Sequence, residues 1–213
     1  MKRGFTLVEL AIVLIIIGII LSSALKATEI IKDAKAKKNI TQITKLADAQ
    51  HQFFERTGRY AGDSDNDGKI NNATINSNSE PNDTNTTTVT DPDYAFEELI
   101  NMGILSEQNN ANLASLTVGG PAYFAGYEYT DTGSGNIYVY NILVIRQVPC
   151  LTAFQMEISL DKNQPDDANS AGTGRVRNIN GTAIRTADAW TLSTICANDV
   201  EKKTDIAYLF DRF

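Results

Sequence analysis

From Phe5 to Leu25 the chain runs 21 residues with a single charge, Glu9. At about 1.5 Å of rise per residue a helix of that length reaches roughly 31 Å, the thickness of a bilayer hydrocarbon core. Backbone in lipid must satisfy its own hydrogen bonds, so such a segment is helical, and only Gly18 weakens the helix. Lys2 and Arg3 precede the run and Lys26 follows it. A secretory signal peptide has an apolar region of about 7–15 residues and then a small-residue cleavage site. This run is longer, and the helical pattern continues beyond it, so it reads as a membrane span. An ordinary anchor does not explain Glu9. A carboxylate inside an apolar span costs on the order of 2.5–3.5 kcal/mol and needs a partner.

The stretch Lys2-Arg-Gly-Phe-Thr-Leu-Val-Glu-Leu10 resembles the leader and processing site of type IV prepilins and of type II secretion pseudopilins. The resemblance implies that a prepilin peptidase cuts between Gly4 and Phe5 and that Phe5 is then N-methylated. It implies that Glu9 meets the N-terminal ammonium of a neighbouring subunit, as helices stack into a filament core. The precursor would then cross the inner membrane once, with its head in the periplasm. It would be polymerised by an inner-membrane assembly platform. The product would be a periplasmic or cell-surface filament of copies of itself or related pilins. Many major type IV pilins carry a proline near the position of Lys26; its absence here leans toward a pseudopilin or minor pilin.

Past Lys26 the spacing of Ile30, Ala34, Ile40, Ile43, Ala47, Gln50 and Phe54 keeps a helical period, with Lys32, Lys35, Lys37, Lys38 and Lys45 on other faces. One helix to near Thr57, stopped by Gly58, is expected. The division is a leader over 1–4, a span and filament-core helix over 5–25, an amphipathic continuation over 26–57, and a head over 58–213. The overall charge is −7. Residues 1–57 carry nine Lys/Arg against five Asp/Glu, and the remainder ten against twenty-one, a balance of −11. A head this acidic is a poor match for nucleic acid, whose phosphates call for Lys/Arg, so none is expected, and it suits cations or basic partners.

The segment 58–92 is an acidic loop by composition, with Asn-x-Thr matches at Asn72, Asn82 and Asn85 that chance explains in so Asn-rich a run. A short helix follows around Phe96, Leu99 and Ile100, capped by Asp91 or Asp93 and ended by Gly103. Tyr123–Tyr129 and Ile137–Ile145 read as strands joined by a glycine-containing turn. Leu151–Leu160 fits a helix or a strand. Trp190 to Ile195 reads as a last strand, and the tail Ile206-Ala-Tyr-Leu-Phe as a docking segment. The expected fold is α+β: a long N-terminal spine helix packed on a small antiparallel β-sheet head, the pilin-like arrangement that the resemblance also implies.

The sharpest chemical constellation is Asp63-Ser-Asp-Asn-Asp-Gly-Lys-Ile-Asn71. Carboxylates at positions 1, 3 and 5, a glycine at 6 and an apolar residue at 8 open an EF-hand loop. Asp63, Asp65 and Asp67 would offer side-chain oxygens to Ca2+, Lys69 its carbonyl, and Asn71 a direct or water-mediated contact. Position 12 is Thr74 rather than glutamate, so Glu80, Asp91 or Asp93 would complete the set; a solvated acidic turn is the alternative. Asp161, Asp166 and Asp167, near Asn163, match no ligand template. Cys150 and Cys196 are the two cysteines; an oxidising compartment and the resemblance favour a disulfide, with two buried thiols as the alternative. His51 is the one histidine and has no catalytic partner pattern around it, so no enzyme is expected. The main functional reading is a structural filament subunit. The rival is a membrane-tethered calcium-dependent adhesin or binding module that never polymerises.

Overall fold

The structure, a computed structural model, describes residues 6–75, 81, 89–106, 113–130, 133–162, 172–186, 190, 191, 195–199 and 201–211. Gly4, Phe5, Glu80, Asn82, Asn85, Asn163, Asp166, Asp167 and Leu192 lie outside them. One helix, α1 (Leu7–Thr57), runs unbroken through Gly18 and past Lys26. It stops at Gly58, whose φ of 80° is open to glycine at no steric cost and turns its N–H onto the Phe54 carbonyl.

Every residue of α1 up to Lys35 is exposed. Beyond it, one face is buried: Ala36, Asn39, Ile43, Leu46, Ala47, Ala49, Gln50 and Phe53. The stripe read from the sequence begins too early, since Ile30 is 68% exposed and Ala34 is also exposed. At the far end Phe54, 43% exposed, yields its expected place to Phe53. The head first meets α1 through polar contacts, a Lys32–Glu201 ion pair and a Gln155 Nε2 bond to Asp33 Oδ1 at 2.5 Å. Its apolar core starts one turn later.

The head holds a five-stranded antiparallel sheet of β1 (Ala122–Thr130), β2 (Ile137–Pro149), β3 (Val176–Asn180), β4 (Ala183–Ile184) and β5 (Lys203–Leu209). The β1–β2 hairpin pairs Ala122 with Ile145 through Thr130 with Ile137, as the sequence pattern leads one to expect. The strand order is β1-β2-β5-β3-β4. The supposed docking tail is thus an inner strand, buried from Ile206 to Leu209, while no described residue from Trp190 to Ile195 is in a strand. Trp190 is instead a buried core side chain, edge-on to Phe154 at 6.4 Å. Leu151–Leu160 resolves as helix: α3 (Cys150–Met156) continued by a π-helical turn, Glu157–Asp161. The short helix α2 (Tyr94–Asn101) starts at Asp93, whose side chain makes no capping bond; Asp91 Oδ1 takes the Asp93 N–H at 3.0 Å.

Phe96, Phe124, Phe210 and Tyr60 form a chain of ring contacts between the sheet and the end of α1, with centroids 5.2–5.8 Å apart. Cys150 and Cys196 are joined in a disulfide across a sequence separation of 46. It fastens the start of α3 to the turn that feeds β5. Closing a loop of that size stabilises the fold by roughly 4 kcal/mol in the chain-entropy account.

Three buried carboxamides hold loops onto this frame as a second peptide group would. Gln50 on α1 accepts from Ala61 N at 2.9 Å and donates to Ala61 O at 3.1 Å. Asn39 on α1 accepts from Val118 N at 3.2 Å and donates to Val118 O at 2.6 Å. Asn141 on β2 accepts from Ile70 N at 2.8 Å and donates to Gly68 O at 2.9 Å. Gln50→Ala should lower unfolding stability by at least ~2 kcal/mol, because the buried Ala61 N–H and C=O both lose their partner. Gln52→Ala, on the exposed face two residues on, should stay within about 0.5 kcal/mol. Denaturant titration of the full chain in detergent reads both.

Candidate functional site

Two features carry chemistry: the exposed apolar half of α1 and the acidic loop after it. The apolar half exposes Leu7, Val8, Leu10 and the large side chains through Leu25. It makes α1 the one helix among the described residues that is long and apolar enough to cross a membrane. Glu9 does not stand bare within it. Glu9 Oε2 accepts from Thr6 N at 2.8 Å and Thr6 Oγ1 at 2.8 Å, and Thr6 Oγ1 accepts from Glu9 N at 3.3 Å. This reciprocal cap satisfies two N–H groups at the start of the helix and sets a carboxylate where the helix dipole favours one. The carboxylate that insertion penalises thus has a local partner within its own chain.

In the loop after Gly58, Asp63, Asp65 and Asp67 each turn a carboxylate oxygen to within 4.8 Å of the others. Among the described residues this is the one cluster of potential metal-ligating side chains of that kind. Asp63 is buried; Asp65 and Asp67 are exposed. Asp63 also closes the loop on itself, Oδ1 accepting from Asp67 N at 3.2 Å and Oδ2 from Gly68 N at 3.1 Å. Burial pushes the Asp63 carboxyl above the usual aspartate value, and these N–H bonds only partly offset it. Three acids this close repel one another unless a cation or a proton intervenes.

The remaining residues named from the sequence serve the loop differently. Asn71 Oδ1 accepts from Ser64 N at 3.1 Å and Ser64 Oγ at 3.0 Å, so it ties the two ends of the loop together. The Lys69 N–H donates to Asp67 Oδ1 at 2.8 Å, and its ammonium pairs with Glu128 on β1. Asp91 is occupied in starting α2, and Asp93 is buried there. Asp161 belongs to the frame: its carboxylate accepts from Arg175 N at 2.8 Å and Val176 N at 2.7 Å, which seats β3 beside the end of α3. His51 lies edge-on to Phe210 at 6.1 Å, a packing role.

Three residues that hold the acidic loop are not apparent in the sequence. Glu98 on α2 accepts from Gly62 N at 2.7 Å and forms an ion pair with Arg59, whose Nη1 also donates to Asp63 O at 3.0 Å. Asn141 grips the far side of the loop from β2. Glu98 and Asn141 lie tens of residues from the loop and leave no local signal, while Arg59, four residues before Asp63, gives no sign in the sequence of its pairing with Glu98. Gly126 on β1 gives one: a Cβ there would come within 2.2 Å of the Ile70 carbonyl, so a glycine lets the loop lie against the strand.

No curated protein and no solved structure matches this chain. Residues 1–25, which hold Gly4, Phe5 and Glu9, match the family model described as the prokaryotic N-terminal methylation motif. The chain therefore carries the N-terminal signature of type IV pilins and pseudopilins, and that signature points to a structural rather than a catalytic protein.

Proposed function

We propose that the chain is a structural subunit of a type IV pilus-like or type II secretion pseudopilus filament. Prepilin peptidase cuts it after Gly4, Phe5 is methylated, and an inner-membrane assembly platform polymerises it through α1. The observation that carries this reading is Glu9. It is the single charge in an apolar helix surface that the head leaves wholly uncovered. Membrane anchoring needs the apolar surface, and a neutral glutamine at position 9 would serve the cap with Thr6 without bringing a charge into the span. A filament of stacked helices uses both surface and charge, because a neighbour's N-terminal ammonium can share a carboxylate that Thr6 holds at the helix start. The precursor sits in the inner membrane with its head in the periplasm, where the disulfide forms, and the filament extends into the periplasm or beyond the cell surface.

Glu9→Leu should leave membrane insertion intact or improve it, since a charge leaves the span. Filament recovered by shearing and pelleting should fall at least tenfold. Unchanged filament yield from Glu9→Leu would refute the role assigned to it. Mass spectrometry of the mature chain should begin at methylated Phe5.

The acidic loop binds Ca2+ through Asp63, Asp65 and Asp67, with the Lys69 carbonyl as a further oxygen in reach of the same turn. The convergence of three carboxylates supports this, as does a loop already braced by Asn141, Glu98 and Arg59. Thr74 in place of a bidentate glutamate keeps the affinity modest, about 10⁻⁴–10⁻³ M. Calcium at ten times its dissociation constant then stabilises the fold by about 1.4 kcal/mol, which is roughly 3–6 °C of melting temperature for a chain of this size. Asp65→Ala should remove that increment and leave the calcium-free melt nearly unchanged. A melt that ignores calcium up to about 10 mM, ten times the weakest affinity expected, marks the loop as a solvated turn.

A further inference from the structure

Where the chain leaves the acidic loop and crosses the edge of the sheet at Gly126, it walls a hollow of about 400 Å³. Lys69, Asn71, Tyr127, Glu128 and Thr182 line it, and among the described residues none comes from α1. The hollow sits at the end of the head away from the span. Glu201 and Gln155 meet Lys32 and Asp33 at the head's base, whereas Phe210, at the far end of β5, meets His51 late in α1. Tyr140, paired with Tyr127, lies beyond the Ile142–Leu209 pair at that far end. Lipid or other helices can therefore cover the apolar half of α1 and leave the hollow open.

Tyr127 gives the hollow a fixed aromatic wall. Its ring stacks on Tyr140 with centroids 6.3 Å apart and planes 13° from parallel, and the Arg177 guanidinium lies over Tyr140 at 5.7 Å. A ring braced in this way loses little freedom when a ligand covers it. The polar groups around it sum to no net charge, since Lys69 and Glu128 form an ion pair and the others are neutral. Asn71 engages Oδ1 with Ser64, which leaves Nδ2 for a ligand. Thr182 is exposed in the two-residue turn between β3 and β4.

This combination selects among ligand classes. An apolar molecule would strip water from the carboxamide, the hydroxyls and the ion pair and return no hydrogen bonds. An anion would face the Glu128 carboxylate, and a cation the Lys69 ammonium. A neutral polyol meets every demand: its hydroxyls donate and accept, and its C–H face carries the slight positive charge that suits the negative face of an aromatic ring. The volume falls within the range of about 300–1,000 Å³ usual for small-ligand sites. We propose that this hollow binds a neutral sugar, a hexose of a glycan, with its C–H face on Tyr127 and its hydroxyls bonded to Asn71, Glu128 and Thr182. Such a site works alike on a filament subunit and on a single anchored copy.

The test uses the full-length chain, with calcium present throughout, in a zwitterionic detergent whose headgroup is not a sugar. Cellobiose, lactose and chitobiose serve as neutral probes and sialyllactose as an anionic one, all read by saturation-transfer NMR. At least one neutral probe should bind, with the strongest transfer into its ring C–H protons. Tyr127→Ala and Thr182→Ala should each weaken that probe by roughly fivefold or more, the worth of about one hydrogen bond or ring contact. Tyr127→Phe keeps the ring and should keep the transfer pattern. Thr182→Ala changes an exposed turn residue, so its melting temperature should match that of the parent chain, which separates loss of binding from loss of fold. Absence of transfer to every neutral probe would overturn the proposal. So would transfer confined to the sialic acid ring, or a neutral-probe affinity unchanged in both alanine variants.

Discussion

The buried side of α1 between Ala36 and Phe53 is the surface on which the head is laid down, and its polar members position as much as its apolar ones. Burying a carboxamide without partners costs several kcal/mol, so Asn39 and Gln50 are tolerable only because each meets a peptide group that needs both a donor and an acceptor. Side chains that fill shape can slide along a helix. These two cannot, since their bonds close only at Val118 and at Ala61. The stalk thus fixes the height of the loops before β1 and after Gly58, and with them the register of the head on the helix.

Much of this was legible from local pattern. The apolar run and its lone carboxylate define the N-terminal half of α1, and alternation with a glycine turn defines the β1–β2 hairpin, because both are set by neighbours a few residues apart. What was misread depends on distant partners. Strand β5 is inner and buried on both faces at Ile206–Leu209, so it shows no alternation and resembles an apolar tail. Trp190 and Ile195 look like strand residues because they are large and apolar, yet they are buried core side chains outside any strand. Periodicity alone starts the stripe at Ile30, since it reports a helical face and not where the head reaches it. Clamps such as Asn141 and Glu98 read as surface polar residues, and only the fold shows that a loop hangs on them.

The acidic loop shows how a site and a scaffold can share a residue. Asp63 is both the first candidate ligand and the acceptor that folds the turn, taking the Asp67 and Gly68 N–H groups. Its removal would unfold the loop whether or not a cation ever binds there. Asp65 is exposed, so its loss would remove a candidate ligand while leaving the turn intact. Asp67 lies between the two cases, since its Oδ1 accepts from Lys69 N. The three carboxylates are therefore not equivalent probes, and Asp65 separates ligation from folding.

The same division of labour runs along the whole helix. Among the described residues, nothing of the head covers its first half, so its stability in water is that of an exposed apolar rod; only lipid or other helices can cover it. Its second half is covered on one side by the head and keeps lysines on the other. In the proposed passage from membrane to filament, such a chain would exchange one cover of the apolar half for another without refolding, while the carboxamide clamps and the disulfide keep the head seated. The energetic demand of that exchange falls on a few residues at the N-terminus. On the proposed filament reading, one carboxylate at Glu9 governs assembly while the fold of the head is indifferent to it.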